Sequence, residues 1–386
     1  MDKKSFFDLA EKISAGIATD RETELYLLWY DSFQHEDQGW LEEMGDRDEI
    51  RNNILSRIRN EIGSQGRRRY LYSIRKISAA VLLLVFAAGV YLWISNEKKE
   101  KISEELVIKN DVLPGSDKAV LTLSDGARVV LDGSLTGVIA NEGEVSVENS
   151  EDGVLTYSGE NNLDFDEITT DKVINNTITT PQGGQYKVKL HDGTMVWLNS
   201  LSSIRFPTRF SEEAREVEIT GEVYFEVAHR SKQPFKVYSG EQYVEVLGTE
   251  FNIQAYEDEP SIRTTLVDGS VNVVTENESA LIDPGYQVVS FSNDVLEVKK
   301  VNAEMVVAWK NGLFQFWDTD LEEVMRQLAR WYDIDVDYLT TTQGKSFTGF
   351  VSRDVTISNV LRMIEEAGGI KFGLEDKKVF VKTTME

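Results

Sequence analysis

Apolar and polar positions change their spacing several times along this chain of 386 residues. Up to about residue 62 they recur every three or four positions, the spacing of helices buried on one face. Phe6, Leu9, Ala10 and Ile13 line one such helix, and Gly16 can end it. Thr19 and Glu22 form a T-x-x-E capping box that opens a second helix. That helix carries Leu25, Tyr26, Leu28, Trp29, Tyr30 and Phe33, and Ile50, Ile54, Ile58 and Ile62 mark another. Residues 1–66 therefore read as a small all-α domain. Ile77 to Ile94, ISAAVLLLVFAAGVYLWI, holds no charge and no polar face. As a helix it reaches about 27 Å, close to the roughly 30 Å core of a bilayer. Residues 77–95 are thus expected to be a single transmembrane helix, in preference to a buried core helix or a signal peptide.

From residue 106 to 301 the period falls to two. KVKLHDGTMVWL, EVEITGEVYFEV and YVEVLGTEFNI alternate apolar and polar positions between Asp-Gly, Gly and Pro signals. This predicts an antiparallel all-β sandwich, roll or short solenoid. Glu142 to Lys172 is weakly patterned. An internal repeat lies within this region: Pro114 with LTLSDGARVVL (121–131) matches Pro181 with VKLHDGTMVWL (188–198) at a constant offset of 67. Each copy, 114–131 and 181–198, reads as a hairpin turned by Asp-Gly. Residues 312–386 change pattern again. LFQF is a strand, Thr319 and Glu322 make a capping box, and Leu321, Val324, Met325, Leu328, Ala329 and Tyr332 line a helix. DIDVDY and SFTGFV follow as strands, then a helix with Val360, Leu361 and Ile364 that stops at Gly368-Gly369, then the hairpin IKFGLE and KVFVK. The order βαββαββ predicts a compact α+β domain.

Charge sets the orientation. Arg57, Arg59, Arg67, Arg68, Arg69, Arg75 and Lys76 precede the apolar run, while Lys98, Lys99 and Lys101 after it are mixed with Glu97 and Glu100. The basic excess belongs in the cytoplasm, so residues 1–76 are expected inside and 96–386 in the periplasm. The formal charge is −25, and residues 96–386 carry nearly all of it. Such a surface excludes attraction to nucleic acid or anionic lipid. The chain has no cysteine, which removes disulfides, thiol catalysis and thiolate zinc sites.

Candidate chemistry is sparse. His35, His191 and His229 are scattered, and His191 beside an Asp-Gly turn reads as a surface residue. Glu222 and Glu226 share a strand face that reads as solvated, and Asp333, Asp335 and Asp337 lack the tight loop and extra oxygens of a calcium site. No metal or cofactor is expected. Trp197, Tyr224, Phe225 and Phe251 at strand spacing form either a carbohydrate platform or core packing, which keeps a membrane-anchored periplasmic carbohydrate-binding protein as the alternative reading. The stripe Leu25, Leu28, Trp29 and Phe33 exceeds what so small a bundle needs and fits a partner's groove. Gly248-Thr249 is the one dipeptide with covalent promise. A threonine hydroxyl can attack the preceding carbonyl of a strained peptide, and glycine at a strand bend is the plainer reading. No enzyme activity is expected otherwise.

Four stretches carry a resemblance: NTITTPQGGQYKVKLHDGTMVWLNSLSSIRFP (176–207), REVEITGEVYFEVAHRSKQPFKV (215–237), VEVLGTEFNIQAY (244–256) and TTLVDGSVNV (264–273). They resemble the FecR family of membrane anti-sigma factors in its Bacteroidetes form. The C-terminal βαββαββ unit is similar to the short N-terminal signalling domain of TonB-dependent transporters and secretins. The resemblance implies inner helices that hold an extracytoplasmic-function sigma factor and an outer FecR-type part that senses the signalling domain of a ligand-loaded outer-membrane transporter. It also implies an inner-membrane location, release aided by site proteases, and self-cleavage at Gly248-Thr249 in some members. The hairpin strands with Ile370, Phe372, Val379 and Val381 would then offer a sheet edge to the transporter.

Overall fold

Strict alternation produces strands here because one residue in two must reach a shared apolar layer. The computed structural model describes residues 108–142, 145–150, 153–159, 174–292 and 295–383. The chain divides into Met1–Glu105 and Leu106–Glu386, and only the second unit holds described residues. Its strands begin with β1 (Ser116–Asp117), β2 (Ala119–Thr122), β3 (Arg128–Leu131), β4 (Gly137–Glu142), β5 (Val145–Asn149) and β6 (Val154–Gly159). Next come β7 (Asn175–Thr179), β8 (Gly184–Lys189), β9 (Met195–Leu198), β10 (Ser203–Pro207), β11 (Arg215–Glu226), β12 (Phe235–Ser239) and β13 (Gln242–Val246). β14 (Glu250–Ala255), β15 (Ile262–Asp268), β16 (Val271–Val274), β17 (Ser279–Ile282), β18 (Tyr286–Ser290) and β19 (Leu296–Lys300) complete the series.

These strands form two ladders that share β11. One runs β3-β2-β7-β10-β11-β12-β13-β16-β17. The other runs β4-β5-β6-β8-β9-β11-β14-β15-β18-β19. The first half of β11 pairs in the first ladder and the half from Gly221 onward in the second. Gly221 has φ 77, and a Cβ there would collide with Ser202 Oγ and the Leu201 carbonyl. Any other residue at this crossing would be strained and would clash. Leu121, Ile178, Val188, Val196, Ile204, Val217, Phe225, Phe251 and Leu266, from both ladders, fill one core. Each fully buried side chain of this size contributes roughly 1.5–3 kcal/mol.

After β19 the chain makes α1 (Ala303–Val306) and a 3-10 turn (Ala308–Asn311). Then follow β20 (Leu313–Asp320), α2 (Leu321–Tyr332), β21 (Asp335–Tyr338), β22 (Ser346–Ser352), α3 (Ile357–Glu366), β23 (Ile370–Glu375) and β24 (Lys378–Thr383). β20 pairs with β22, and the other three strands lie in the order β21-β24-β23. Asp320, not Thr319, caps α2: its side chain accepts from Glu322 N at 3.0 Å, because β20 runs on through Thr319. Asp333 at φ 54 ends the helix in the left-handed conformation. Phe314, Val324, Leu328, Trp331, Leu361, Phe372 and Val379 form a second core.

The expected fold class is corrected at its N-terminal side. The described residues are mostly β-sheet with few helices, and none of those helices is long and apolar enough to cross a membrane. The longest, α2, has 12 residues and spans about 18 Å, well short of a bilayer core of about 30 Å. A small all-α domain joined to a transmembrane helix is therefore not supported. Residues 1–66 and 77–95 lie outside the described residues.

Candidate functional site

The apolar face of α2 turns into the second core, and its opposite stripe turns toward the sandwich. Glu323, Arg326 and Arg330 recur at helical spacing along that stripe. Arg326 grips Glu259 with two bonds, 3.0 and 3.1 Å. Arg330 reaches Asp258 at 2.7 Å and Glu259 at 2.9 Å, and stacks on Tyr256. Glu323 pairs with Arg263 at 2.5 Å. The C-terminal carbonyls of α2 are taken too. Gln182 Nε2 donates to Ala329 O at 3.0 Å and Gly183 N to Arg330 O at 2.8 Å. Ala329 O also accepts the Asp333 and Ile334 amides at the helix end, so the Pro181–Gly184 turn adds a bond there and supplies a partner to the Arg330 carbonyl in the last turn.

Deeper in this seam lies Glu222, a buried carboxylate with no direct cation contact among the described residues. Asn199 Nδ2 donates to its Oε2 at 2.7 Å and Asn252 Nδ2 to its Oε1 at 3.1 Å. Asn199 Oδ1 in turn accepts from Arg353 Nη2 at 2.8 Å, and Asn252 Oδ1 from Trp309 Nε1 at 3.2 Å. Two asparagines therefore connect one carboxylate of the sandwich to an arginine and a tryptophan of the C-terminal part. Burial pushes the Glu222 carboxyl above its ordinary 4.5, against the hydrogen bonds from Asn199 and Asn252. Burial likewise pulls Arg353 down to about 10, with Glu222 opposing. Arg353 is sandwiched between Trp331 and Phe314. Its Nε and Arg330 Nη1 are buried without hydrogen-bond partners among the described residues. A seam of buried charges with unused donors costs desolvation energy.

The Gly248-Thr249 turn sits elsewhere in the sandwich, on a second buried charge. Arg215 Nη1 pairs with Asp192 Oδ2 at 2.8 Å, both side chains being withdrawn from solvent. The guanidinium also donates to the carbonyls of Ala228 (2.7 Å), Gln233 (3.1 Å) and Leu247 (3.3 Å), so it ties three loops together. Thr249 Oγ1 donates to Ser270 O at 3.0 Å. A Cβ on Gly248 would lie 2.6 Å from His229 Cα and Nδ1. Glycine is needed here for that close approach. With its hydroxyl committed to Ser270, Thr249 forms a packed strand bend, and His229 is the imidazole against it.

The other singled-out residues are placed as follows. Leu25, Leu28, Trp29, Phe33 and His35 lie outside the described residues. Ile370, Phe372, Val379 and Val381 are 0–4% exposed in the C-terminal core, so a contact at these strands would run through main-chain groups. Glu222, read as solvated, is buried because the C-terminal part covers its face of β11; Glu226 on the same face accepts from Lys310 at 3.2 Å. His191 is half-buried, and burial and Arg209 hold it below its usual value. Asp333 pairs with Lys377 and Asp337 with Lys378. No group of side chains able to hold a metal occurs among the described residues. Phe225 stacks on Phe251 in the core, and Trp197 meets Tyr224 edge-on with Lys187 and Lys310 over its ring. The aromatic set is thus spent on packing and cations. Sequence reasoning missed Asn199, Asn252, Arg330 and Arg353. Charge recurring every three to four positions along α2 was a signal for Arg330; Asn199, Asn252 and Arg353 lie on other segments and carried no such signal.

The FecR protein family matches residues 176–272, and the family of FecR C-terminal regions matches residues 313–381. No curated protein matches the chain. Two crystal structures of a candidate anti-sigma factor from Parabacteroides distasonis ATCC 8503, at 1.65 and 2.50 Å, are similar to it. Each is 27% identical with a TM-score of 0.51, over 54–55% of this chain and 99–100% of theirs. The two matched regions are the sandwich that carries Asn199, Glu222 and Asn252 and the α+β part that carries Arg330 and Arg353, and it is over these two regions that the chain is of the FecR family.

Proposed function

We propose that this chain is an anti-sigma factor. It holds an extracytoplasmic-function sigma factor and lets it go when the signalling domain of a ligand-loaded TonB-dependent transporter engages Leu106–Glu386. One observation carries the reading: both family regions, 176–272 and 313–381, belong to one unit welded by the seam around Glu222 and Arg353. A displacement of the last domain cannot leave the sandwich unmoved while Arg353 and Trp309 are bonded to Asn199 and Asn252.

In this reading residues 1–76 face the cytoplasm and meet the sigma factor through Leu25, Leu28, Trp29 and Phe33. Residues 96–386 face the periplasm, with the protein held at the inner membrane, and site proteases complete the release. The cluster Arg67, Arg68, Arg69, Arg75 and Lys76 supports that orientation. The net charge of −25 supports a basic docking patch on the partner and argues against direct nucleic-acid binding. The reading needs no cofactor.

The test is a reporter gene read by an extracytoplasmic-function sigma factor co-expressed with this chain. The full chain should silence it, and transporter ligand should restore it. A chain lacking residues 312–386 should silence but no longer respond. Normal response from the truncated chain would move signal reception elsewhere. A folded Trp29→Ala, Phe33→Ala double variant should silence at least tenfold less well. A periplasm-only reporter should be active when fused after Asn110 and silent after Gly63, and the reverse pattern would overturn the orientation.

A further inference from the structure

The first described residues are not part of the sandwich that follows them. They are bound to the last domain of the chain. Ile108 bridges Leu374 of β23 in parallel, and Lys109 N donates to Leu374 O at 2.7 Å. Lys109 Nζ reaches Glu375 at 3.3 Å and Asn110 Nδ2 reaches Asp376 at 3.4 Å. Asp111 then caps α3 from outside: its Oδ1 accepts from Ser358 N at 3.0 Å and its Oδ2 from Ser358 Oγ at 2.5 Å. Val112 O accepts from Ile357 N at 3.0 Å. The helix's own N-cap, Thr356, makes no side-chain cap bond. Ile108 and Val112 pack on the C-terminal core.

This strap sits on a sheet edge. β24 is the central strand of its sheet, so β23 is an edge. Two of its outward groups are engaged from within the chain: Phe372 N donates to Glu365 Oε1 at 2.7 Å, and Leu374 O accepts from Lys109 N of the strap at 2.7 Å. Unpaired edge strands template added strands. Here one copy of such an added strand is already in place, and it is the segment through which Met1–Glu105 joins the folded unit.

We propose that the outer edge of β23 with the N-terminus of α3 is a docking site for an extended peptide strand of a partner, and that residues 108–112 hold it closed until displaced. The strap itself defines the ligand's chemistry. It is a strand with an apolar residue opposite Leu374 and a carboxylate three positions later, able to reach the Ser358 N–H and hydroxyl. Occupation of the edge and release of the strap are then one event, which frees residues 108–112 from the last domain. The inference deepens the proposed function by naming the receiving surface, and it rests on that reading only for what release achieves in the cell.

The chain has no cysteine, so Lys109→Cys with Glu375→Cys can lock the strap without competing thiols. Adjacent strands lie about 4.8 Å apart, within disulfide reach. The probe is a labelled synthetic peptide of residues 106–113, LVIKNDVL, added to the full chain in detergent. It should bind the reduced double variant at least tenfold more tightly than the oxidised one. A full-length Asp111→Ala chain of unchanged circular dichroism should bind it more tightly than wild type. The same peptide with its aspartate replaced by alanine should bind several-fold more weakly. Equal binding to oxidised and reduced protein, or no binding to the folded Asp111→Ala chain, overturns the proposal. In cells, a normal ligand response from the oxidised chain also overturns it while leaving the anti-sigma reading intact. Failure of the wild-type chain to silence the reporter strikes that reading and leaves the peptide result standing.

Discussion

The two copies of the internal repeat fold alike in their hairpins and differently at their ends. In the first, β2 and β3 close over Leu123–Ala127; in the second, β8 and β9 close over Leu190–Thr194, with the same two turn hydrogen bonds. Gly126 and Gly193 take φ 86 and 93. The aspartates before them diverge. Asp125 is exposed and accepts from Ala127 N, whereas Asp192 is buried and holds Arg215. The segments that lead in diverge further. Asn175–Thr179 forms β7 with Asn176 and Ile178 buried. Sixty-seven residues earlier those positions hold Lys109 and Asp111. A carboxylate cannot replace a buried isoleucine without a large desolvation cost, so this segment leaves the sandwich and caps α3 instead. A repeat keeps its turns through shape, and a single charge redirects its flank.

The largest expected effect breaks the two copies apart at their aspartates. Asp192→Ala leaves Arg215 buried and uncompensated and should cost about 3–5 kcal/mol. Asp125→Ala removes one exposed turn bond and should cost about 0.5–1.5 kcal/mol. Urea denaturation of both variants measures the difference, and equal losses would erase the distinction drawn between the copies. Next in size is the seam, which grows from the second copy through Asn199, Gln182 and Gly183. Arg353→Met should cost about 1–3 kcal/mol by removing the charged bond to Asn199 Oδ1, which then keeps only the Ser200 amide. It should also speed hydrogen exchange at the Trp309 indole. Unchanged exchange there would show that the asparagine link does not hold the C-terminal part.

The turn glycines should behave alike. Gly126→Ala and Gly193→Ala both place a side chain at positive φ and should each cost about 1–2 kcal/mol. A large inequality would mean that the second turn is held by more than its backbone. The smallest effect is acidic. Burial alone would raise Glu259, but Arg326 and Arg330 outweigh it and hold its carboxyl below the ordinary 4.5. Its stabilisation is therefore complete above 4.5 and is lost as pH falls through its lower folded value. Glu222 has the opposite sign: its contribution is present below 4.5 and is lost as pH rises through its higher folded value. Glu259→Gln should flatten the acid limb of a stability-against-pH curve, and an unaltered limb would remove Glu259 as its source.

The hairpins were legible because Asp-Gly between alternating runs has few other solutions. The strand EVEITGEVYFEV was legible as a strand, yet its outward face was not. Up to Thr220 alternate residues are exposed, but from Gly221 to Phe225 both faces are buried, because the C-terminal part covers the second ladder. Glu222 looks solvated in sequence for that reason, and so does the Glu323, Arg326 and Arg330 stripe of α2. Local patterning cannot distinguish a charge facing water from one facing another domain's charge. The strap was hidden for a related reason, since Ile108 and Leu374 are 266 residues apart and neither announces the other.

The proposed function requires that this chain restrain a sigma factor. Transcription in vitro with purified RNA polymerase and the extracytoplasmic-function sigma factor that the chain silences in cells, with and without the full-length protein in detergent, tests this. An equimolar amount of the chain should lower sigma-dependent transcript at least tenfold and leave transcription by the housekeeping sigma factor untouched. Undiminished sigma-dependent transcript at saturating chain would contradict it.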